Sequence, residues 1–316
     1  MAFQMGGSKD FVRKLLKQKH GYRKGSYMMN RIVPAILFLI TSVSIVTTIG
    51  IMWTLAKETA IFFQRVSLIE FLTAKEWVPF FHIDPKYGIL PLLSGTVLVT
   101  IIAMVIAVPI GLGCAIFLSE YAPDAVRRVI KPVLEILAGI PTIVYGFFAL
   151  TVVTPMLKHM IPGLQFFNAL SPGIVIGCMM IPTIASLSED AISAVPFSLR
   201  EGSFGLGTTR FETTVRAVVP AALSGIMAAI VLAVSRAMGE TMIVVIAGGS
   251  TPILSFDPTQ SIQTLTAYIV QVSLGDAARG TTAYYSMYAV GATLFLFTFI
   301  MNLLAQYVSS RFKEVY

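Results

Sequence analysis

Long apolar runs separated by short polar segments are the strongest constraint on how this chain folds. Six runs are long enough to cross a bilayer, which takes about 20 apolar residues in a helix. They lie at 32–56, 90–119, 129–156, 171–190, 217–247 and 283–309. Only 12% of the 316 residues are charged, roughly half the usual share for a soluble domain. The sequence therefore predicts an all-α membrane protein with six transmembrane helices.

The distribution of Lys and Arg predicts how these helices are oriented. Eight of the 23 basic residues precede the first run, and the positive-inside rule places such a cluster in the cytoplasm. Six crossings return the C-terminus to the same side. The segments predicted to be cytoplasmic then carry 16 basic residues and the external ones six. The net charge of +7 is explained by this asymmetry, so it does not indicate binding to nucleic acid.

The predicted layout has five parts. They are a basic cytoplasmic segment at 1–31, a first transmembrane helix at 32–56, an external segment at 57–89, a core at 90–309 and a cytoplasmic tail at 310–316. This layout predicts a multi-pass protein of the cell membrane, with both termini in the cytoplasm.

Two charged residues, Arg236 and Glu240, interrupt the fifth apolar run. A charge near the middle of a membrane costs roughly 2.5–3.5 kcal/mol, which indicates a function. Four residues apart on one helix, the two side chains would share a face, and a guanidinium suits an oxyanion. We predict that Arg236 faces a solute pathway, that Glu240 holds it in place, and that the hydroxyls of Thr142, Tyr145 and Ser235 line the same pathway. The alternative is an ion pair that only fixes helix packing.

Glycine and proline occur inside several of the runs. They either free backbone groups to line a cavity or let helices pack closely through small residues. The positions are Pro109, Gly111, Gly113, Gly139, Pro141, Gly146, Gly173, Gly177 and Pro182. Just before Gly139, Lys131 and Glu135 are four residues apart, and this spacing predicts an ion pair on one helix.

The segment 191–216, between the fourth and fifth runs, has the signals of two short helices. Ser198 and Glu201 have the Ser-x-x-Glu spacing of a capping box. Gly207 permits a turn between the helices. The pattern predicts a helix-turn-helix that protrudes into the cytoplasm.

This segment resembles the EAA loop of ABC importer permeases. Glu201, Gly207 and Pro220 fall at matching positions, and Gly202 and Ser203 replace the two alanines of the family pattern. The resemblance implies that these five residues belong to a loop that docks a separate ATPase subunit.

Three further stretches resemble the phosphate-specific branch of these permeases, the PstC/PstA family. They read E-I-L-A-G-I-P-T-I-V-Y-G at 135–146, G-L-G-T-T-R-F-E at 205–212 and R-A-M-G-E-T at 236–241. The stretches 70–77 and 87–91 are more similar to the PstC pattern than to that of PstA. The resemblance covers about 88–306 and implies the type I ABC importer permease (MetI-like) fold.

The resemblance also implies a bacterial or archaeal cell (inner) membrane, a function and partners. The chain would be a transmembrane permease subunit of an ATP-driven importer of inorganic phosphate, and not an enzyme. Its partners would be a paralogous PstA-like permease, a cytoplasmic PstB-like ATPase dimer, an external PstS-like phosphate-binding protein and membrane lipid, without nucleic acid. The chain lacks the G-x-x-x-x-G-K-[ST] pattern of a P-loop, so it would bind no cofactor itself. Mg²⁺ and ATP would lie on the partner ATPase.

Several alternatives remain open. The chain resembles a PstA-type subunit too, and its cargo could be another oxyanion such as molybdate, sulfate or phosphonate. A membrane enzyme needs a nucleophile, an acid/base pair or a metal cluster. No metal-ligand spacing is present, and the adjacent acids Glu189 and Asp190 are more typical of a solvated helix end. An ion channel would lack the docking loop.

Overall fold

The computed structural model describes residues 6–81 and 83–311, and the side chains of residues 32–81, 83–304, 306 and 307. Two compact units are present, Met1–Lys57 and Glu58–Tyr316. The first unit consists of most of helix α1 (Gly6–Phe63), which contains the apolar stretch Ile32–Phe63. The side chains of residues 1–31, the predicted cytoplasmic segment, lie outside the described residues. Residues 312–316 of the predicted tail also lie outside them.

Within the described residues, the second unit contains helices, connecting segments and one two-stranded antiparallel sheet. In that sheet β1 (Trp77–Val78) pairs with β2 (Lys86–Tyr87). The helices are α2 (Leu68–Thr73), α3 (Leu90–Ile116), α4 (Asp124–Ala138), α5 (Thr142–Phe148), α6 (Thr154–Met160), α7 (Leu170–Ser193), α8 (Phe197–Gly205), α9 (Arg210–Thr213), α10 (Val219–Ala221), α11 (Leu223–Met238), α12 (Met242–Ala247), α13 (Leu265–Gln271) and α14 (Thr282–Arg311). Single π-helical turns lie at Phe117–Tyr121, Ala149–Val153, Thr214–Val218 and Val272–Asp276.

Five helical stretches of the described chain are long and apolar enough to cross a membrane. They are Ile32–Phe63, Leu90–Tyr121, Thr142–Met160, Leu170–Ser193 and Thr282–Leu304. A sixth candidate, Arg210–Ala221 with Leu223–Met238, is bent by 69°. The prediction of an all-α membrane fold is confirmed.

The predicted bounds of the third span, 129–156, are wrong. The helix breaks at 139–141, between the end of α4 and the start of α5. Pro141 lacks an N–H and restricts the residue before it, so it favours a new helix start at this point. Helix α4 has no buried residue in this chain, and the stretch with the length and hydropathy of a span begins at Thr142.

The predicted fifth span, 217–247, is also divided. Its backbone bends by 69° between α10 and α11. It then breaks between α11, which ends at Met238, and α12, which begins at Met242. Three residues therefore separate the two helical parts, and Glu240 lies within this break.

Helices α3 and α7 pack closely because glycines remove side-chain bulk between them. A Cβ atom at Gly111 would lie 2.8 Å from the Cβ of Ile184, and one at Gly173 would lie 2.7 Å from the Cγ2 of Ile102. Gly113 faces open space instead. Close packing through small residues therefore explains Gly111 and Gly173.

An aromatic cluster joins the segment 57–89 to α13. Trp77 packs edge to face on Tyr268, with ring centroids 4.9 Å apart. Phe62, Phe71 and Tyr87 are buried in the same cluster. Such aromatic pairs contribute about 0.5–1.5 kcal/mol beyond their burial, so this segment is a folded part of the second unit.

The connection between α12 and α13 contains a turn held by Asp257. Its carboxylate accepts hydrogen bonds from the backbone N–H of Thr259 (2.9 Å), the Thr259 hydroxyl (2.7 Å) and the Gln260 amide (3.0 Å). These donors, the Thr259 hydroxyl first, lower the pKa of Asp257 below its ordinary value, because they stabilise the charged form.

Candidate functional site

Arg236 lies in the last turn of α11 and is exposed in this chain. Its Nη1 donates a hydrogen bond of 3.2 Å to the hydroxyl of Thr183 on α7. Within the described residues, no ion pair joins Arg236 to Glu240 or to any other carboxylate. The guanidinium has five donors, so most of them are available to a solute.

Glu240 does not hold Arg236 in place, so that part of the prediction is wrong. The helix ends at Met238, and the two residues are therefore not one turn apart on a common helical face. Glu240 is 9% exposed. Its Oε1 accepts from the backbone N–H of Thr241 at 3.0 Å, and its carbonyl accepts from the Thr266 hydroxyl at 2.8 Å. Glu240 therefore stabilises the break between α11 and α12.

The structure does not bring the predicted hydroxyls together around Arg236. Thr142 begins α5 and is half-buried. Tyr145 donates to the carbonyl of Leu137 at 2.9 Å, which ties α5 to α4 across the break. Ser235 donates to Asn302 of α14 at 2.8 Å. Tyr145 and Ser235 thus make contacts between helices, while Arg236 contacts α7.

Helix α5 packs on α12, the helix that follows Glu240. A Cβ atom at Gly146 would lie 3.1 Å from the carbonyl of Met242 and 2.8 Å from Cδ1 of Ile246. The two broken spans therefore meet just after their breaks. This contact places Thr142 and Tyr145 in the helix that packs on the continuation of the Arg236 helix.

A cavity of about 250 Å³ lies between α4 and α7. Thr183, the hydrogen-bond partner of Arg236, is one of its lining residues. The charged residues that line it are Lys131, Glu135 and Glu189. Arg236 therefore reaches, through Thr183, the edge of a largely apolar cavity that also carries charged side chains.

The ion pairs beside this cavity differ from those predicted. Lys131 does not pair with Glu135. Its Nζ lies 2.7 Å from Glu189 and 3.2 Å from Asp190 on α7. Arg127 lies 2.9 Å from the other oxygen of Glu189, whose side chain is 5% exposed. The hydrogen bond that Lys131 donates to Glu189, first among several causes, raises the pKa of Lys131.

Glu189 is therefore a buried anchor for α4 and not a solvated helix end. The sequence contained one signal of this arrangement. Arg127 and Lys131 are four residues apart, so they lie on one face of an exposed helix and match a single acid opposite.

The 191–216 loop contains two short helices joined at Gly207, as predicted. Helix α8 ends at Gly205 and α9 begins at Arg210. Gly207 has a φ of +82°, a backbone conformation that disfavours residues with a Cβ. The turn therefore requires glycine for its backbone.

The predicted capping box at Ser198 and Glu201 is wrong. Helix α8 begins after Pro196, and Ser198 lies inside it. The capping box is formed by Thr209 and Glu212, which start α9. The Thr209 hydroxyl accepts from the N–H of Glu212 at 3.3 Å, and Glu212 accepts from the N–H of Thr209 at 2.9 Å.

Three hydroxyls hold the two helices of the loop together. Ser203 lies 2.8 Å from Thr208 and 3.1 Å from Thr213, and Thr208 lies 2.8 Å from Thr213. Ser203 is thus a structural residue of the loop, whereas Glu201 and Gly202 are exposed. Pro220 lies in α10, at the bend, and is exposed.

The surface of this loop is unusually apolar. Its exposed large hydrophobic residues are Phe197 (67%), Phe204 (44%), Leu206 (86%), Phe211 (67%) and Val215 (48%). An exposed apolar cluster of this kind marks an interaction site. The loop therefore has both a rigid frame and a surface suited to a protein partner.

A second buried ion pair had no clear signal in the sequence. Arg200 of α8 lies 2.8 Å from Glu120, at the end of the second span, and the side chains are 12% and 9% exposed. The two residues are 80 positions apart in the chain, so no local spacing could have linked them.

Comparison with known proteins defines the class. Residues 107–314 match the family model described as binding-protein-dependent transport system inner membrane component. The chain belongs to this family, whose members are permease subunits of ABC importers and work with an ATPase and a solute-binding protein. It is a transport subunit and not itself an enzyme.

Individual relatives are similar over most of their length. The chain is 41% identical over 248 residues to a probable ABC transporter permease protein, YqgH of Bacillus subtilis, covering 78% of this chain and 80% of the relative. It is 36% identical over 263 residues to the phosphate transport system permease protein PstC of Mesorhizobium japonicum, covering 76% and 78%. It is 33% identical over 266 residues to the phosphate transport system permease protein PstC of Haemophilus influenzae, covering 77% of this chain and 82% of the relative.

Solved structures share the fold. The MetNI methionine ABC transporter, in inward-facing conformations, matches with a TM-score of 0.53 and 17% identity, covering 72% of this chain and 95% of that chain. An amino acid ABC transporter matches with a TM-score of 0.50 and 18% identity, covering 70% and 94%. The predicted importer-permease fold is therefore confirmed.

Proposed function

We propose that this chain is the permease subunit of an ATP-driven importer that moves inorganic phosphate into the cytoplasm. Two relatives named as phosphate permeases are 36% and 33% identical to it over 263 and 266 aligned residues. The observation that carries the proposal at residue level is Arg236, an exposed guanidinium on a membrane-spanning helix without a carboxylate partner in the described residues.

The physical argument starts from charge. Phosphate is an anion at neutral pH, so a pathway through an apolar bilayer must replace part of its hydration. A guanidinium does this with charge-assisted hydrogen bonds to two oxygens at once. Because Arg236 donates to a neutral hydroxyl of Thr183, its positive charge is not cancelled by that contact. Glu240, by contrast, serves the backbone break and leaves the cation free.

The cavity between α4 and α7 supports a pathway beside Arg236. Its lining includes the hydroxyl-bearing residues Thr183 and Ser186. Lys131 at its edge is neutralised by Glu189 and Asp190, so Arg236 is the cation best placed to attract an anion. Thr142, Tyr145 and Ser235 belong to this proposal as residues that position the neighbouring helices.

The 191–216 loop is proposed to dock the ATPase on the cytoplasmic side. Glu201 and Gly202 are exposed on it, Ser203 and Gly207 shape it, and Pro220 follows it at the bend. Mg²⁺ and ATP would then bind the partner ATPase and not this chain. A PstA-like paralogue, a PstB-like ATPase and an external PstS-like protein complete the proposed assembly, with both termini of this chain in the cytoplasm.

The test is uptake of labelled phosphate into liposomes that contain the complete complex. Losing a charged hydrogen bond of about 1.5–3 kcal/mol predicts that Arg236→Gln lowers uptake by roughly tenfold to a hundredfold. Arg236→Lys keeps the charge and loses the fork geometry, so its uptake should be intermediate. Arg128→Gln is the matched control, because exposed Arg128, among the residues that the structure describes, donates only to the Asp124 carbonyl of its own helix.

Normal uptake by an intact Arg236→Gln complex would remove Arg236 from the pathway. Competition with unlabelled molybdate, sulfate and phosphonate identifies the cargo. Displacement of the label by one of these anions in preference to phosphate would contradict phosphate as the substrate.

A further inference from the structure

Arg200 connects three elements at one end of the second unit. Its Nη2 and Nε donate to Oε1 of Glu120 at 2.8 and 3.2 Å. The same guanidinium donates to the carbonyls of Val195 (2.6 Å) and Ile192 (3.0 Å), at the end of α7. One side chain of the 191–216 loop thus holds the ends of both α3 and α7.

A second arginine of the loop contacts the next residue of the same span. The guanidinium of Arg210, in α9, lies over the ring of Tyr121 at 5.2 Å from the centroid. Glu120 and Tyr121 lie in the π-helical turn that ends the second span. Each of the two loop helices, α8 and α9, therefore has its own arginine on this turn, on either side of Gly207.

From the C-terminal end of the loop, the covalent route into α11 is interrupted. It passes through a π-helical turn at Thr214–Val218 and then a bend of 69° before α11. The turn at Phe117–Tyr121, in contrast, follows α3 without a break. The two arginines therefore contact a turn that is continuous with α3, whereas the chain reaches α11 only through the interrupted route.

Helix α3 leads from this turn to the proposed solute site. Gly111 brings α3 into close contact with Ile184 of α7. The adjacent residue, Thr183, accepts the hydrogen bond from Arg236. A contiguous series of packed and hydrogen-bonded groups thus joins the loop to Arg236.

We propose that Glu120 and Tyr121 are positioning residues that couple the ATPase-docking loop to the transmembrane helices, through Arg200 and Arg210. This inference rests on the proposed docking of an ATPase at the loop. Arg200 is required for its geometry, because a lysine ammonium at this position cannot make four directed hydrogen bonds to three separate acceptors.

The experiment compares coupling in complete complexes reconstituted in liposomes. The variants are Arg200→Lys and Glu120→Gln, with Arg128→Lys as the control. Two quantities are measured: phosphate taken up per ATP hydrolysed, and stimulation of ATP hydrolysis by the loaded solute-binding protein. Copurification of the ATPase subunit measures assembly.

We expect both variants to assemble and to hydrolyse ATP, while uptake per ATP falls about tenfold, within the usual range for coupling between sites. Stimulation by the binding protein should fall in parallel. Tyr121→Leu, which leaves the buried pair intact, should lower both quantities partly, and Tyr121→Phe should restore them because the ring is kept.

Coupling at the wild-type level in Arg200→Lys, Glu120→Gln and Tyr121→Leu would overturn the proposal. Loss of the ATPase subunit from these complexes would also overturn it, since the residues would then build the dock instead of coupling it. A wild-type complex without phosphate uptake would refute the proposed cargo alone, because stimulation by the binding protein still tests the coupling.

Discussion

Replacing Gly207 with alanine is the most direct perturbation of the 191–216 loop. Gly207 has a φ of +82°, and a Cβ there would meet nothing within 4 Å. The substitution therefore adds backbone strain without a steric clash. An L-residue in this region costs about 1–2 kcal/mol. If the ATPase binds only the native turn, the apparent affinity should fall roughly 5- to 30-fold.

Gly205 provides a matched control two residues away. A Cβ at Gly205 also meets nothing within 4 Å, and its φ is not positive. Gly205→Ala should therefore bind the ATPase within about twofold of wild type, since alanine is favoured in a helix. The affinity of Gly207→Asn for the ATPase should lie between those of the two alanine variants, because asparagine tolerates the left-handed region.

The assay is a titration of the ATPase subunit onto the permease complex in nanodiscs, with Kd as the readout. Equal weakening by the alanine variants at 205 and 207 would show that bulk matters and not backbone conformation. Unchanged affinity of Gly207→Ala would refute the requirement for this turn in docking.

Three further predictions concern packing, ion pairing and pH. Gly111→Ala should lower the free energy of unfolding by about 1–3 kcal/mol relative to Gly113→Ala, because only the alanine at 111 overpacks the contact with α7. Thermal unfolding in detergent measures the difference, and equal midpoints of the two variants would contradict it. Glu189→Gln should destabilise the protein by about 1–3 kcal/mol, whereas Asp190→Asn, which is exposed, should change it by less than about 0.5 kcal/mol, as measured by denaturant titration. Neighbouring donors lower the pKa of Asp257 below 3.8. The charged carboxylate should therefore stabilise its turn fully above pH 3.8, and this stabilisation should be lost as the pH falls through the lowered pKa. A carboxyl NMR titration with a midpoint at or above 3.8 would contradict this.

The features predicted correctly from the sequence are those with a local physical cause. Helix length and hydropathy depend on neighbouring residues, so the apolar runs identified the class and most of the spans. The turn at Gly207 followed from the conformational freedom of a single residue. The breaks at 139–141 and 239–241 contain glycine, which was visible in the sequence, but whether a helix continues through such a position depends on what packs beside it.

The capping box shows how a correct rule can be applied at the wrong place. Ser198 and Glu201 fit the spacing as well as Thr209 and Glu212 do. Pro196 begins α8 earlier than the first pair requires, so Ser198 is inside the helix. The second pair follows the Gly207 turn, where a new helix must start.

The sequence by itself determined that this chain is a helical membrane permease, and it identified Arg236 as a charge that needs an explanation. Only the tertiary structure decided which groups pair. Lys131 pairs with Glu189, 58 positions away in the chain, and Arg200 pairs with Glu120, 80 positions away. Arg236 and Glu240 are close in sequence, but a helix end separates them. Hydropathy is a property of each segment, but an ion pair needs two side chains within about 4 Å, and the packing of distant helices sets that distance.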